Sequence, residues 1–350
     1  MFQYVVEKIS ARDVWLELEK ICCHNSLDNF QDDDTLAIQD KFGETPLHYA
    51  ARFGNLDAAK ILVTRNSNLP HIVSNNGMYP IHVAAEYGYK NVDLVHYFFS
   101  VTKYSAPYTD RSCAMLLHRL ICSDLYDFAM QLVKLYPDLA KYSSHSSSPL
   151  AELATKTFGT SSVSYSKTPS LTIAISWLFQ ARANVNHDIE NATNETLLDK
   201  SKSNSSELEY IRDKKWKHQN AIKLAECLCE ELQNISEKEI NSIVGGPLLQ
   251  AARFDNYKLV EIIVTKFPSS IYYHHENGKN ILHVAVENRS KNVFKLVSQM
   301  NQHSHHLVTS IDSSNNTMLH LAGKLSEEKE LKKTFGAALN MQEELRWFED

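Results

Sequence analysis

A motif that recurs at a fixed spacing constrains this chain more than any other feature. The segment GETPLHYAARFGNLDAAKILV begins at Gly43, and GMYPIHVAAEYGYKNVDLVHYF begins 34 residues later. The prolines Pro46 and Pro80 and the histidines His48 and His82 keep the same spacing of 34. A period of this length indicates a chain that is built from stacked structural units.

Further copies appear when the chain is aligned on the histidine position. Clear copies are NILHVAVENRSKNVFKLV at 280–297 and TMLHLAGKL at 317–325. The copy GPLLQAARFDNYKLVEIIV at 246–264 has Leu249 in the histidine position. Weaker copies lie at 115–133 and 148–154. We count five or six units with full or partial helix pairs, and a seventh that is terminal.

Each copy has the residues of a short helix pair. Polar side chains that can cap a helix N-terminus share one position: Thr45, Ser148, Asn280 and Thr317. Prolines follow at the first helical position, where no backbone N–H is needed: Pro46, Pro80, Pro149 and Pro247. Leu47, Ala50 and Ala51 then form a small apolar face. Gly54 ends the first helix, and apolar residues at helical spacing from Leu56 predict a second one.

The segment DKFGETPLHYAARFGNLDAAKILV resembles an ankyrin repeat, whose pattern G-x-T-P-L-H-x-A-A leads to a glycine and a second helix. The resemblance implies an all-α ankyrin-repeat solenoid of helix-turn-helix units of about 34 residues, in two blocks separated by an irregular, partly disordered insertion. It also implies structural roles for the motif residues, with each histidine tied to its turn and to the next unit. These residues are Thr45, Pro46, Leu47, His48, Pro80, His82, His118, His283, Thr317 and His320. Tyr79 at the threonine position and Leu249 and Ala151 at the histidine position depart from the pattern. Units three and four are expected to be less regular and less stable than units one and two.

Domain boundaries are expected from the repeats and from composition. N-terminal capping helices are expected at 1–39 and a first block of about four repeats at 40–154. A capping helix and a second block of about three repeats are expected at 214–325. The segment 155–213 is rich in Ser, Thr and Asn, which predicts a mobile linker. Apolar spacing in 326–350 predicts an amphipathic helix that covers the last repeat, with a membrane-surface helix as the alternative.

Charge, hydropathy and cysteine spacing argue against several classes of partner and location. The net charge is -6 and the pI is near 6.2, and Arg212–His218 is the one dense basic run, so nucleic acid is not an expected partner. No apolar run approaches the roughly 18 to 20 residues of a membrane span. Six cysteines without a CxxC pair, and an N-terminus without a signal-peptide core, predict reduced thiols in a cytoplasmic protein.

Motifs for catalysis and cofactor binding are missing from the sequence. It has no GxSxG, P-loop, GxGxxG or HExxH, so we expect no enzyme activity, no cofactor and no metal. The nearest metal-like cluster, His303, His305 and His306, is interpreted as a polar turn because it lacks paired ligand clusters. An enzyme with its active site in 155–245 is a rival hypothesis from another class, although no titratable cluster there suggests an acid and base pair.

A stack of such units is expected to expose its first helices and turn tips on a concave surface, where a protein partner can bind. The expected contact residues of the first block are Lys41, Phe42, Glu44, Arg52, Phe53, Met78, Tyr79, Glu86 and Tyr87. Those of the second block are Arg253, Phe254, Lys279, Glu287 and Asn288. Phe53, Tyr87 and Phe254 share one position and predict an aromatic groove, and aromatic residues are enriched at binding hot spots. The sequence therefore predicts a non-enzymatic protein-binding scaffold.

From about Trp15 to Phe348 the chain resembles plant ankyrin-repeat proteins that continue, through a segment like GAALNMQEELRWFE, into a C-terminal membrane region called the PGG domain. That membrane domain is not within this sequence, which ends at Asp350. The resemblance implies a signalling role in stress or defence responses, in the cytoplasm at the cytosolic face of the plasma membrane, where family members are anchored downstream. The alternative is the cytosolic regulatory part of a longer ankyrin-repeat membrane protein of the transporter or channel type.

Overall fold

The structure is a computed structural model, and it describes residues 36–88, 91–102, 110–142, 148–156, 197–300 and 306–324, with the helical positions Gln342, Leu345 and Trp347. Regular structure in these residues consists of α-helices and short 3-10 helices. Most of the N-terminal capping segment, the middle of the linker, His303 and His305, and nearly all of the C-terminal helix segment lie outside the described residues.

The helices form pairs in chain order. The first three pairs are α1 (Pro46–Phe53) with α2 (Leu56–Arg65), α3 (Pro80–Glu86) with α4 (Val92–Val101), and α5 (Asp110–Cys122) with α6 (Tyr126–Leu135). The following helices are α7 (Pro149–Thr155), α8 (Leu197–Glu231), α9 (Glu237–Arg253) and α10 (Tyr257–Lys266). The last are α11 (Ile281–Glu287), α12 (Lys291–Ser298) and α13 (Met318–Ala322). Short 3-10 helices follow four of the even-numbered helices, at Leu69–His71, Pro137–Ala140, Leu232–Asn234 and Pro268–Tyr272.

Local sequence explains the bounds of the first pair. Gly54 ends α1 in the left-handed region at φ 74°, where a glycine has no steric cost. The side chain of Asn55 then accepts a hydrogen bond from the backbone N–H of Ala58 and caps α2. Leu47 and Ala59 are fully buried between the two helices and their neighbours, as the apolar spacing predicts.

The odd-numbered helices, which we call the inner helices, form one continuous row. Each packs against the next, from α1 on α3 to α11 on α13. The even-numbered outer helices pack behind them: α2 contacts α4, and α6, α8, α10 and α12 form a second row. The stacked helix pairs and their shared core are the solenoid that the repeats predict.

The fourth unit is divided by the insertion. Its inner helix is α7, and the C-terminal part of α8 lies where its outer helix belongs, packed against both α6 and α10. Leu224, Leu228 and Cys229 of α8 are fully buried in this contact. The apolar spacing predicted a capping helix that starts at residue 214, at the upstream end of the second block, whereas α8 begins at Leu197 and contacts both blocks.

Hydrogen bonds to backbone groups also join neighbouring units across this junction. The Nδ2 atom of Asn256 donates to the carbonyl oxygens of Leu153 at 3.2 Å and Lys156 at 2.9 Å. One unit further on, a carboxylate oxygen of Asp255 accepts from the backbone N–H groups of Asn292 and Val293, both at 3.0 Å, at the start of α12. The two blocks are therefore packed against each other through the divided unit.

One expected helix start was wrong. Pro247 was expected at the first position of a helix, but it lies inside α9, which begins ten residues earlier at Glu237. The segment 237–246 is itself helical, so α9 runs through Pro247 and does not begin there. Among the described residues no helix is both long enough and apolar enough to cross a bilayer.

Candidate binding surface and ligand cluster

The motif histidines of the first two units tie each inner helix to its own turn and to the next unit. The Nδ1 atom of His48 accepts the backbone N–H of Thr45 at 3.1 Å, so its proton is on Nε2, which lies 3.1 Å from the carbonyl oxygen of Met78. His82 repeats the arrangement with Tyr79 N–H at 3.1 Å and the carbonyl of Ser112 at 2.9 Å. Burial lowers the pKa of His48, and it lowers the pKa of His82 to about 4. Both rings are therefore neutral structural links at neutral pH.

The other histidines of the motif differ in their surroundings. In the sixth unit, Nδ1 of buried His283 lies 2.8 Å from Oδ1 of Asn280, and burial lowers its pKa. In the seventh, His320 is exposed, and its Nδ1 lies 2.8 Å from Oγ1 of Thr317. His118 is not near a helix start, because α5 begins at Asp110, and its imidazole faces the fourth unit.

Several residues that were expected to contact a partner are held in ion pairs within the chain. Glu44 is nearly buried and pairs with both terminal nitrogens of Arg52. Lys279 pairs with both carboxylate oxygens of Glu287, at 2.6 and 2.7 Å. Glu86 of the second unit pairs with Arg119 of the third. Two of these pairs join the turn before an inner helix to the end of that helix, and the third joins the ends of two neighbouring inner helices.

The remaining expected contact residues fall into an exposed group and a partly buried group. Lys41, Phe42, Phe53, Arg253 and Phe254 are exposed. Met78, Tyr79 and Tyr87 are partly buried and pack against the core, and Asn288 donates its side-chain amide to the carbonyl of Val284 at 2.8 Å. Of the three aromatic residues that share one position, Phe53 and Phe254 are thus the two with the larger surface available to a partner.

A cavity of about 680 Å³ opens on this face beside the third unit. Its lining residues are Glu86, Met115, His118, Arg119, Cys122, Ser123 and Asp124. Two of its carboxylates are paired with cations: Glu86 with Arg119, which also lines the cavity, and Asp124 with Lys156 at 2.9 Å.

Three side chains with metal-binding atoms converge at this cavity. His118 and Cys122 are four residues apart on α5 and share one helix face, and Glu152 comes from α7 of the next unit. Nδ1 of His118 lies 3.4 Å from Oε1 of Glu152, and Nε2 lies 3.6 Å from Sγ of Cys122. Sγ of Cys122 lies 3.8 Å from Oε2 of Glu152. With one ligand atom from each residue, the three atoms all lie within 4.8 Å of one another.

The order Cys122, His118, Glu152 also resembles that of a nucleophile, a base and an orienting carboxylate. Two observations argue against that chemistry. The thiol of Cys122 donates directly to Glu152 as well, so the imidazole is not its sole neighbour. Partial burial and the Glu152 carboxylate raise the pKa of the Cys122 thiol, whereas a nucleophilic cysteine requires a lowered pKa.

Sequence reasoning did not find this cluster, although part of its signal is present in the sequence. The spacing His118-x-x-x-Cys122 on a helix can be read from the sequence. His118 was instead assigned to the motif histidines, and nothing local indicates that Glu152, from the next unit, faces it. Only the stacking of α7 on α5 brings the carboxylate to the pair.

The chain is similar to several known proteins that contain ankyrin repeats or are named as a channel. A family model described as ankyrin repeats matches residues 19–106 in three copies. A segment of 61 residues is 44% identical to the Transient receptor potential cation channel subfamily A member 1 homolog of Caenorhabditis elegans; it makes up 17% of this chain and 5% of that protein. An ankyrin repeat protein from Leishmania major aligns over 87% of this chain and 83% of its own, with 17% identity and a TM-score of 0.31. The family match and the stacked helix pairs together confirm the ankyrin-repeat fold.

Proposed function

We propose that this chain is a non-enzymatic scaffold that binds another protein on the face formed by its inner helices. The observation that carries the proposal is the pair Phe53 and Phe254, which are 43% and 40% exposed at equivalent positions of the first and fifth units. The exposed parts of these rings are available to a partner, and aromatic residues are enriched at binding hot spots. Phe42, in the turn before α1, is a third exposed aromatic residue, with 49% of its surface exposed.

The charges on this face favour a protein partner over nucleic acid. The C-terminal ends of the inner helices carry both signs: Arg52, Glu86, Arg253 and Glu287. A surface that binds phosphates needs clustered positive charge, and here the signs alternate. Mixed charge around exposed aromatic rings is the usual composition of a protein-binding surface.

A capture experiment in the native cell tests the proposal, with the full chain as bait for proximity labelling. The informative variant is Phe53→Ala with Phe254→Ala, and the matched control is Leu135→Ala, which is 72% exposed at the end of the outer helix α6. The double variant is expected to lose labelled partners that the wild type and the Leu135→Ala protein retain. Recovery of the same partners by all three proteins, each with an unchanged circular dichroism spectrum, would refute this binding face.

We further propose a role in stress or defence signalling, in the cytoplasm at the cytosolic face of the plasma membrane. The support is the resemblance of the C-terminal segment GAALNMQEELRWFE to plant ankyrin-repeat proteins that carry a PGG domain. Imaging of the tagged chain before and after an elicitor treatment tests this role. A uniform distribution that does not respond to treatment would count against it.

A second candidate function is the cytosolic regulatory part of a longer ankyrin-repeat membrane protein. One observation favours it: a relative that shares a 44% identical segment is itself named as a cation channel. Sequencing of full-length transcripts distinguishes the two candidates, because the second requires a hydrophobic segment of about 20 residues encoded beyond Asp350.

A further inference from the structure

We propose that His118, Cys122 and Glu152 form a binding site for Zn²⁺ at the junction of the third and fourth units. A thiol, an imidazole and a carboxylate are the three side-chain types that zinc sites use. Mg²⁺ and Ca²⁺ prefer oxygen ligands alone, so the sulfur and nitrogen atoms select zinc or a chemically similar transition metal.

The distances between the side chains fit this ion. Tetrahedral zinc with its usual bond lengths separates neighbouring N, O and S ligand atoms by about 3.3 to 3.6 Å. The contacts measured here are 3.4 Å for His118 with Glu152, 3.6 Å for His118 with Cys122 and 3.8 Å for Cys122 with Glu152. The two contacts of His118 use different ring nitrogens, so binding through one nitrogen requires a shift of about 1 Å by the imidazole or the carboxylate. A change of rotamer of the Glu152 side chain, which lies in the first turn of α7, would supply that shift.

An independent observation points to a ligand at the same place. Nδ1 of His118 is buried, yet it has no hydrogen bond of normal geometry, and a buried polar atom in this condition is costly. It faces the Glu152 carboxylate, next to the cavity. A cation between the two side chains would satisfy both groups.

The surrounding charges allow an additional cation. Arg119 and Lys156 approach the site, but their charges are engaged by Glu86 and Asp124. Three protein ligands leave a fourth coordination position, which water or a side chain of a bound partner would supply through the cavity. Zinc here would link two neighbouring units, because α5 provides two of its ligands and α7 the third.

Zinc binding at this cluster should be coupled to the release of a proton. Zinc takes the thiolate form of cysteine, and the thiol of Cys122 is protonated before binding. Each ion bound should therefore release about one proton from this thiol to the buffer. Metal affinity is accordingly expected to rise with pH.

The test is a titration of the full, chelator-treated chain with Zn²⁺ alone, followed by calorimetry, and with Co²⁺, followed by absorption. The variants are Cys122→Ser, His118→Gln and Glu152→Gln, and the matched controls are Cys227→Ser and His96→Gln. Cys227 lies on α8 and His96 on α4, both away from the cluster. The controls also measure the background from other cysteines and histidines of the chain.

The wild-type chain and both controls are expected to bind one ion at the site, with the charge-transfer band of a cobalt–thiolate bond. Each cluster variant should bind the ion at least about tenfold more weakly. The cobalt–thiolate band should be weaker in Cys122→Ser than in the wild-type chain, because serine supplies no thiolate. Cluster variants with wild-type affinity and spectrum would overturn the proposal, as would a wild-type chain without a saturable site. If one variant fails to fold, the other two decide the matter.

Discussion

The nearly buried carboxylate of Glu44 is held by both terminal nitrogens of the Arg52 guanidinium, eight residues further along the chain. In the sixth unit the same two positions hold Lys279 and Glu287, which pair at 2.6 and 2.7 Å with the charges exchanged. In both units the pair joins the turn before the inner helix to the last turn of that helix. In these two units the two positions carry opposite charges, and the charges occur in either order.

Arg52→Ala is expected to lower the free energy of unfolding by about 1 to 3 kcal/mol, because Glu44 is left nearly buried without its charged partner. The exchange Glu44→Lys with Arg52→Glu should recover most of that loss, since the sixth unit already uses this order. Urea denaturation measures both effects.

Lys141→Ala is the control for these two variants, because Lys141 pairs with Asp138 on the surface. Its loss should change stability by less than about 0.5 kcal/mol. A charge exchange that is no more stable than Arg52→Ala would show that the position is not symmetric.

Two glycines with the same backbone conformation differ in their neighbours. Gly43 and Gly77 have φ of 75° and 74°, but a Cβ on Gly43 would lie 2.6 Å from the backbone nitrogen of Asn75, and a Cβ on Gly77 meets nothing within 4 Å. Gly77→Ala should therefore cost about 1 kcal/mol, for the left-handed conformation alone. Gly43→Ala should cost at least about 1 kcal/mol more, because it also separates Asn75 from the carbonyl of Phe42, its partner at 2.9 Å.

Chemical denaturation of the two variants compares these costs directly. The left-handed conformation is common to both, so the difference between them measures the contact of the first turn with the second. Equal losses of unfolding free energy in the two variants would mean that the contact between the first and second turns adds nothing to stability.

The period of 34 residues predicted the helix pairs correctly wherever the inner helix begins at the motif proline. His48 and His82 sit at their predicted positions because proline and the cap fix where α1 and α3 begin. The prediction failed at Pro247, where the segment upstream is itself helical and extends α9 past the expected start. A repeat motif predicts what a helix contains and does not limit how far the helix extends.

The fourth unit could not be assembled from sequence, because its two helices are separated by the insertion. Ala154 and Leu224 belong to one unit but lie 70 residues apart, so no period of 34 connects them. The Glu152 contact was hidden for a related reason. Residues 34 apart, such as His118 and Glu152, come together only when the stacking of the units is known.

Acidification is expected to destabilise the chain through its buried histidines. The pKa of His82 is about 4 in the folded chain and 6.5 when unfolded, so the unfolded chain binds protons more readily between these values. The contribution of neutral His82 to the free energy of unfolding is roughly 3 kcal/mol and is fully present above pH 6.5. It declines as the pH falls from 6.5 and is lost by about pH 4. Protonation of Nδ1 would also remove the acceptor that binds the backbone N–H of Tyr79.

Urea denaturation at pH 7.5 and pH 5 measures this effect. The difference in unfolding free energy between the two pH values should be smaller for His82→Gln than for the wild type. His320→Gln is the control for loss of a motif histidine, because His320 occupies the same motif position but is exposed. An unaltered difference in the His82→Gln protein would place the pH dependence in other groups.

The divided fourth unit should hold the two blocks in one cooperative structure. Leu228 is fully buried in α8, which packs against both α6 and α10, and Leu62 is equally buried in α2 of the first unit. Truncation of either leucine to alanine should cost about 2 to 5 kcal/mol of unfolding free energy.

The two variants should differ in cooperativity. In a solenoid each unit contacts only its neighbours, so a destabilised unit in the middle lets the two sides unfold separately, whereas a destabilised unit at the end unfolds locally. Leu228→Ala should therefore give a shallower urea transition, with circular dichroism and tryptophan fluorescence no longer coincident, and Leu62→Ala should keep them coincident. Equal slopes and coincident curves for both variants would mean that the contact of α7 with α9 couples the blocks without α8.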